Sequence, residues 1–284
     1  MRRPRAERVL MQVRTKIEDE QLGLEVKRPA HALRVVVGAQ RDAAPAAAAA
    51  PPPPGCSGVA EHSKPLHSFI EHSMFCAFPL LFAAVFYHST ARLYELELLW
   101  LVAVAVPLSF VLGDLLTGVV HWAADTYGTD ETPVIGHSLI RPFRLHHVYP
   151  KDITTHNLVT TLGNSCIMGV PLMGLCLFLI LDEEAPAWVA FTTFAAAIVA
   201  LVTVATNQFH KWAHQDAPPR LARLLQRARL VLTPANHQTH HTDPFDSYYC
   251  ITNGWLNPLL CRLRFFRGLE AALRWLGVRP TGRK

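Results

Sequence analysis

Four apolar runs, at about residues 69–87, 96–120, 165–181 and 188–209, constrain this chain more than any other feature. Each approaches the roughly 20 residues that an α-helix needs to cross a bilayer. With half of its 284 residues hydrophobic and 17% charged, the chain is too apolar for an ordinary soluble domain. The expected fold class is therefore an all-α integral membrane protein with about four transmembrane helices. The third run has only about 17 residues, so a tight hairpin with the fourth is the alternative to two upright spans; four spans is the preferred reading. Pro79 is expected to kink the first.

Residues 1–60 mix both charge signs and then run into an Ala/Pro tract that cannot bury a core, which predicts a disordered extension before a single membrane-embedded domain over 61–284. No early apolar stretch marks a signal peptide. The net charge of +5 is not arranged as a basic stripe interleaved with aromatics; the basic residues flank apolar runs, which points to a membrane surface and excludes nucleic acid as the partner. Two segments, 219–232 and 258–278, place leucines on one side and arginines around the other, the pattern of amphipathic helices lying in the membrane interface. The six cysteines form no C-x-x-C pair, and Cys76, Cys166 and Cys176 beside apolar runs read as buried thiols.

Loop charge gives an orientation. The links 89–95 and 182–187 carry one basic residue between them, Arg92, whereas the segment from Lys211 onward carries twelve. By the positive-inside rule the polar 123–164 segment and the region after the fourth run are cytoplasmic.

That topology gathers the histidines. Ten of fifteen lie between His121 and His241, and residues three and four apart share one helix face. Four groups emerge at the same membrane face: His121 with Asp125; His146, His147 and His156; His210 with His214; and His237, His240 and His241. Any one pair at this spacing arises easily by chance. Together they offer nine imidazoles and one carboxylate, more than one zinc takes, so two metals are expected. Asp125 is expected either to ligate directly or to orient a ligand. Asp114, in a stripe with Thr117, His121 and Asp125, is costly at membrane depth and implies function or a buried partner. His31, His62, His67, His72, His88 and His137 read as loop or interfacial histidines.

The strings Gly113-Asp114 through Gly118, His121-Trp-Ala-Ala-Asp125-Thr126, Ile140-Arg-Pro-Phe-Arg-Leu-His-His147, Asn207-Gln-Phe-His-Lys-Trp-Ala-His214, His237-Gln-Thr-His-His241 and Tyr249 through Asn257 resemble the Kua family of plasmanylethanolamine desaturases, over about residues 70–280. The resemblance implies a di-iron centre held by His121, Asp125, His146, His147, His156, His210, His214, His237, His240 and His241. It further implies O2 as oxidant and electrons from a cytochrome b5 or ferredoxin type carrier with a reductase. The substrate would be an ether phospholipid, desaturated at C1–C2 of its alkyl chain to a vinyl ether. The membrane would be the endoplasmic reticulum in a eukaryote or the inner membrane in a bacterium. Arg144-Leu-His146-His147 lacks the first histidine of an HxxHH box, and Asp125 stands where HxxxH has its second, a departure from the wider desaturase pattern. The competing readings are an acyl-chain desaturase or lipid hydroxylase of the same superfamily, a zinc-dependent membrane hydrolase, and a metal transporter, whose ligands would lie near the midplane.

Overall fold

The computed structural model describes residues 65–282, and the expected disordered extension, with His31 and His62, lies outside the described residues. Helices α1 (Pro65–Glu95), α2 (Val102–Thr126), α4 (Leu158–Ile180) and α5 (Ala187–His214) are the long elements, with a short helix α3 (Arg141–Val148) between the second and third. After them come α6 (Arg220–Arg227), α7 (Pro234–His240), α8 (Asn257–Arg262) and α9 (Phe265–Trp275), and no strand occurs among the described residues. The four long helices, the second extended by a 3-10 turn from Leu99, are each long and apolar enough to cross a membrane. The all-α fold with four candidate spans is thus as expected.

The spans start and stop where local chemistry dictates. The Asn157 side chain accepts the Thr160 N–H at 2.9 Å and caps α4, and Pro186 precedes α5. Helix α1 runs further than hydropathy indicates, because its polar end is satisfied inside the bundle. Ser89 hydrogen-bonds Thr193 at 2.8 Å and the Arg92 guanidinium donates to the Ala185 carbonyl at 2.9 Å. The link expected at 89–95 is therefore helical.

Helix α5 is the axis of the bundle. On one side Phe78, Val85, Met173 and Cys176 of α1 and α4 close on Ala197, Ala200 and Val204. Elsewhere Leu93 and Ala105 pack on Val189, Phe194 and Val202. Small residues on α5 let its neighbours approach closely, the packing that lipid-embedded helices depend on. A separate cluster of Trp122, Tyr249, Cys250, Leu260 and Phe266 fastens the C-terminal segments to the end of α2.

Three expectations change here. The 258–278 segment is two helices broken at Arg264, whose left-handed φ of 52° no helix interior accommodates. Residues 219–232 form only a short helix, and Leu232 leaves it to be fully buried. Cys76 is exposed on α1, unlike the buried Cys166 and Cys176.

Candidate metal centre

Two groups of donor atoms converge where α2 and α5 end. His146, His210, His214, His237 and His241 form the first; His121, Asp125, His147 and His240 form the second, and within each group all ligand atoms lie within 4.8 Å of one another. Helix geometry explains the sorting. The i,i+4 pair on α5 points wholly into the first group and the i,i+4 pair on α2 wholly into the second. Adjacent residues diverge by about 100° on a helix, so α3 sends His146 to the first group and His147 to the second. Helix α7 likewise sends His237 and His241 one way and His240 the other. Thus α3 and α7 tie the groups together.

The nitrogen spacing in the first group is informative. Nε2 of His210 lies 2.7 Å from that of His237 and 2.9 Å from that of His146. The His214–His237 and His237–His241 separations are 2.8 and 3.0 Å. With metal–nitrogen bonds of about 2.1 Å, donors at right angles stand about 3.0 Å apart and tetrahedral donors about 3.4 Å. Five donors, several at the shorter spacing, are more than a tetrahedral zinc takes. Hydrogen bonding alone cannot satisfy them, because each neutral imidazole has one proton to give.

In the second group Asp125 Oδ2 lies 3.0 Å from His147 Nε2, 3.4 Å from His121 Nε2 and 3.6 Å from His240 Nε2. Its tautomers are set from outside. His121 Nδ1 donates to the Tyr249 carbonyl at 3.0 Å, and His240 Nδ1 to the Ser247 carbonyl at 2.8 Å. Both Nε2 atoms are then unprotonated and face the group, the arrangement metal-ligating histidines adopt. His121 Nε2 is buried and makes no hydrogen bond. The donors present therefore fit metal ions.

Burial keeps His146, His237, His240 and His241 neutral. It pushes His240 down to about 3 and His241 to about 2, and holds His146 and His237 well below the usual range, with neighbouring imidazoles adding to each. Of the ten residues singled out by sequence, the structure gathers nine. His156 lies in neither group: its Nε2 is 3.5 Å from Asp152 Oδ2, and its carbonyl accepts from Lys211 Nζ. Sequence reasoning passed over Arg144, Asn236, Thr252 and Asn257, whose hydrogen bonds brace the ligand-bearing segments. The only signal for them was that each lies within or beside a quoted string.

Known proteins are similar to this chain over part of its length. Plasmanylethanolamine desaturase of Myxococcus xanthus is 46% identical over 178 residues, covering 62% of this chain and 62% of that protein. Plasmanylethanolamine desaturase 1 of Mus musculus is 36% identical over 188 residues, 63% and 68% of the two chains. Fatty acid desaturase 4, chloroplastic, of Arabidopsis thaliana is 35% identical over 175 residues, 60% and 51%. The chain thus spans just under two thirds of the Myxococcus protein's length. No solved structure matches it. Residues 110–283, which include every member of both donor groups, match the lipid desaturase domain, and the chain belongs to that family.

Proposed function

We propose that this protein is a plasmanylethanolamine desaturase with two irons, one in each donor group. It would remove one hydrogen from each of C1 and C2 of an ether phospholipid's alkyl chain, consuming O2, two external electrons and two protons and forming a vinyl ether and two waters. The observation that carries this reading is the pair of donor sets, five and four strong, at one end of four candidate spans. Bound iron would supply the oxygen-activating chemistry that side chains lack.

The chain's own residues do the rest. The nine gathered residues would hold the metals, with His156 beside them as the tenth candidate. Tyr249 and Ser247 fix two of the imidazoles through their carbonyls. Burial of His121, His210, His237 and His240 excludes water from the reacting volume. The thiol nearest the centre in sequence, Cys250, is pushed up by burial and then by Asp114, which keeps it protonated and poorly reactive towards oxidants. With the metal groups at the end of the spans, the headgroup can stay in the interface while the ether chain lies among the helices. No flavin, nicotinamide or haem motif occurs in the chain, so the electrons would come from a separate carrier of cytochrome b5 or ferredoxin type with its reductase.

The likeness to the Arabidopsis fatty acid desaturase 4 supports a second reading, in which an acyl chain is desaturated. Lipid profiles of a plasmalogen-deficient host expressing the chain separate the two. Acid-labile vinyl ethers are expected with the wild type and none with His241→Ala. A new acyl double bond without vinyl ethers would establish the second reading instead.

A further inference from the structure

We propose that Asp114 is a positioning residue for the second metal group, acting through the buried turn at residues 250–257. Asp114 is fully buried in α2, seven residues before His121 and so about 10 Å further along the helix towards the bilayer. Its carboxylate accepts three backbone N–H groups of that turn. Oδ1 takes Asn253 at 3.1 Å and Gly254 at 3.0 Å, and Oδ2 takes Leu256 at 3.1 Å. Irregular backbone at membrane depth survives only where protein satisfies its polar groups. A carboxylate, otherwise costly there, is suited to that task because it accepts several N–H bonds at once.

The turn is wedged directly beneath the ligands. The Thr252 hydroxyl lies 3.0 Å from that of Thr117 and 2.7 Å from that of Thr206. These two stand one helical turn before His121 and His210 respectively. Asn257 binds both backbone groups of Cys250, at 2.9 and 2.8 Å, and reaches Asn236 at 2.8 Å, while Asn236 donates to the Gly254 carbonyl at 3.2 Å. The turn is thereby tied to α7 one residue before His237. Two glycines permit the approach. A Cβ on Gly118 would meet Cys250 Sγ at 2.5 Å and its Cα at 3.3 Å; Gly254 has φ of +72°, and a Cβ there would meet the Asn236 side chain at 2.6 Å. The product of this bracing is the position of the Tyr249 carbonyl, which receives the His121 Nδ1 proton. The Tyr249 ring also stands 5.7 Å from that of His121 and 5.1 Å from that of His240. The braced segment touches a second-group ligand itself, through the Tyr249 carbonyl on His121 Nδ1, whereas it reaches His210 and His237 of the first group only through Thr206 and Asn236, so the effect falls mainly on the second group.

The inference rests on the two-metal reading, and metal content tests both separately. Purified protein loaded anaerobically with ferrous iron is assayed for iron per chain and for release to a chelator, with His240→Ala assigning the release phase of the second group. Wild type is expected to bind about two irons. Asp114→Asn, which puts an N–H donor among backbone donors, should speed the second-group phase about tenfold, as for other residues that orient a ligand. The first-group phase should change less. Thr252→Val should speed the same phase less. It leaves no stranded hydroxyl, because Thr117 and Thr206 keep the Asp114 and Val202 carbonyls as acceptors, so it decides the matter if Asp114→Asn fails to fold. Release unchanged in both variants would overturn the positioning role, as would equal acceleration of both phases together with a lower melting temperature. A wild type that binds no iron would instead overturn the two-metal reading.

Discussion

At the scale of single residues, the centre is built from imidazoles that must stay neutral to bind metal. Burial depresses His240 to about 3 and His241 to about 2, against an ordinary value of about 6.5. The sign follows from proton counts. Below about 6.5 the unfolded chain takes up protons that the folded chain refuses, so stability is full above that pH and is lost progressively as pH falls towards 3. His146 and His237 act in the same direction. Metal-free protein should therefore melt at a constant temperature from pH 8 to 7 and at falling temperatures below about 6.5. The apoprotein's melting curve in detergent, followed by circular dichroism, checks this. A melting temperature that held steady down to pH 5 would mean that these rings are hydrated and already protonatable in the folded state.

At the scale of elements, the least legible helix proved to be the one that joins the groups. Helix α3 has only eight residues, begins at Arg141-Pro142 and is polar on average, so the sequence around it read as a polar segment. What holds it is tertiary. Arg144 donates to the carbonyls of Ala124, Tyr127 and Gly128 at 3.3, 3.1 and 2.8 Å, satisfying the orphan carbonyls at the end of α2. Asp125 lies between those acceptors. By contrast the four spans and the ligand spacing on α2, α5 and α7 were legible, because length, hydropathy and i,i+4 recurrence are local properties. The ends of α1 and the break at Arg264 were not, since Ser89 and Arg92 find partners on other segments and a left-handed arginine has no sequence signature. Arg144→Ala should cost about 2 kcal/mol or more, since hydrogen bonds to charged groups contribute about 1.5–3 kcal/mol each. Arg144→Lys should recover little of it, because an ammonium cannot reproduce the guanidinium fork. Denaturation of the three proteins in a common detergent checks this ordering; lysine restoring full stability would show that charge alone matters there.

For the whole molecule, the even number of candidate spans makes one end of the bundle carry all the chemistry. The end of α2, the whole of α3, the start of α4 and the end of α5 lie together there, and α6 to α9 follow on that side. The opposite end consists of the links 96–98 and 181–186, with no Lys or Arg in either. Exposed Leu221, Leu224, Leu259, Leu263 and Trp275 stand among Arg220, Arg223, Arg227, Arg262 and Arg274 on the site side, the composition of segments that rest in an anionic interface. On the orientation that loop charge favours, the donor groups would face the cytoplasm, the side on which the proposed carrier would reach them. Single cysteines introduced into an otherwise cysteine-free chain and probed in intact membrane vesicles of known sidedness test this. Replacements of Thr129 or Asp216 should react with an impermeant maleimide only from the cytoplasmic side, and a replacement of Glu183 only from the other. The reverse labelling would overturn this orientation and exclude a cytoplasmic carrier for the proposed reaction.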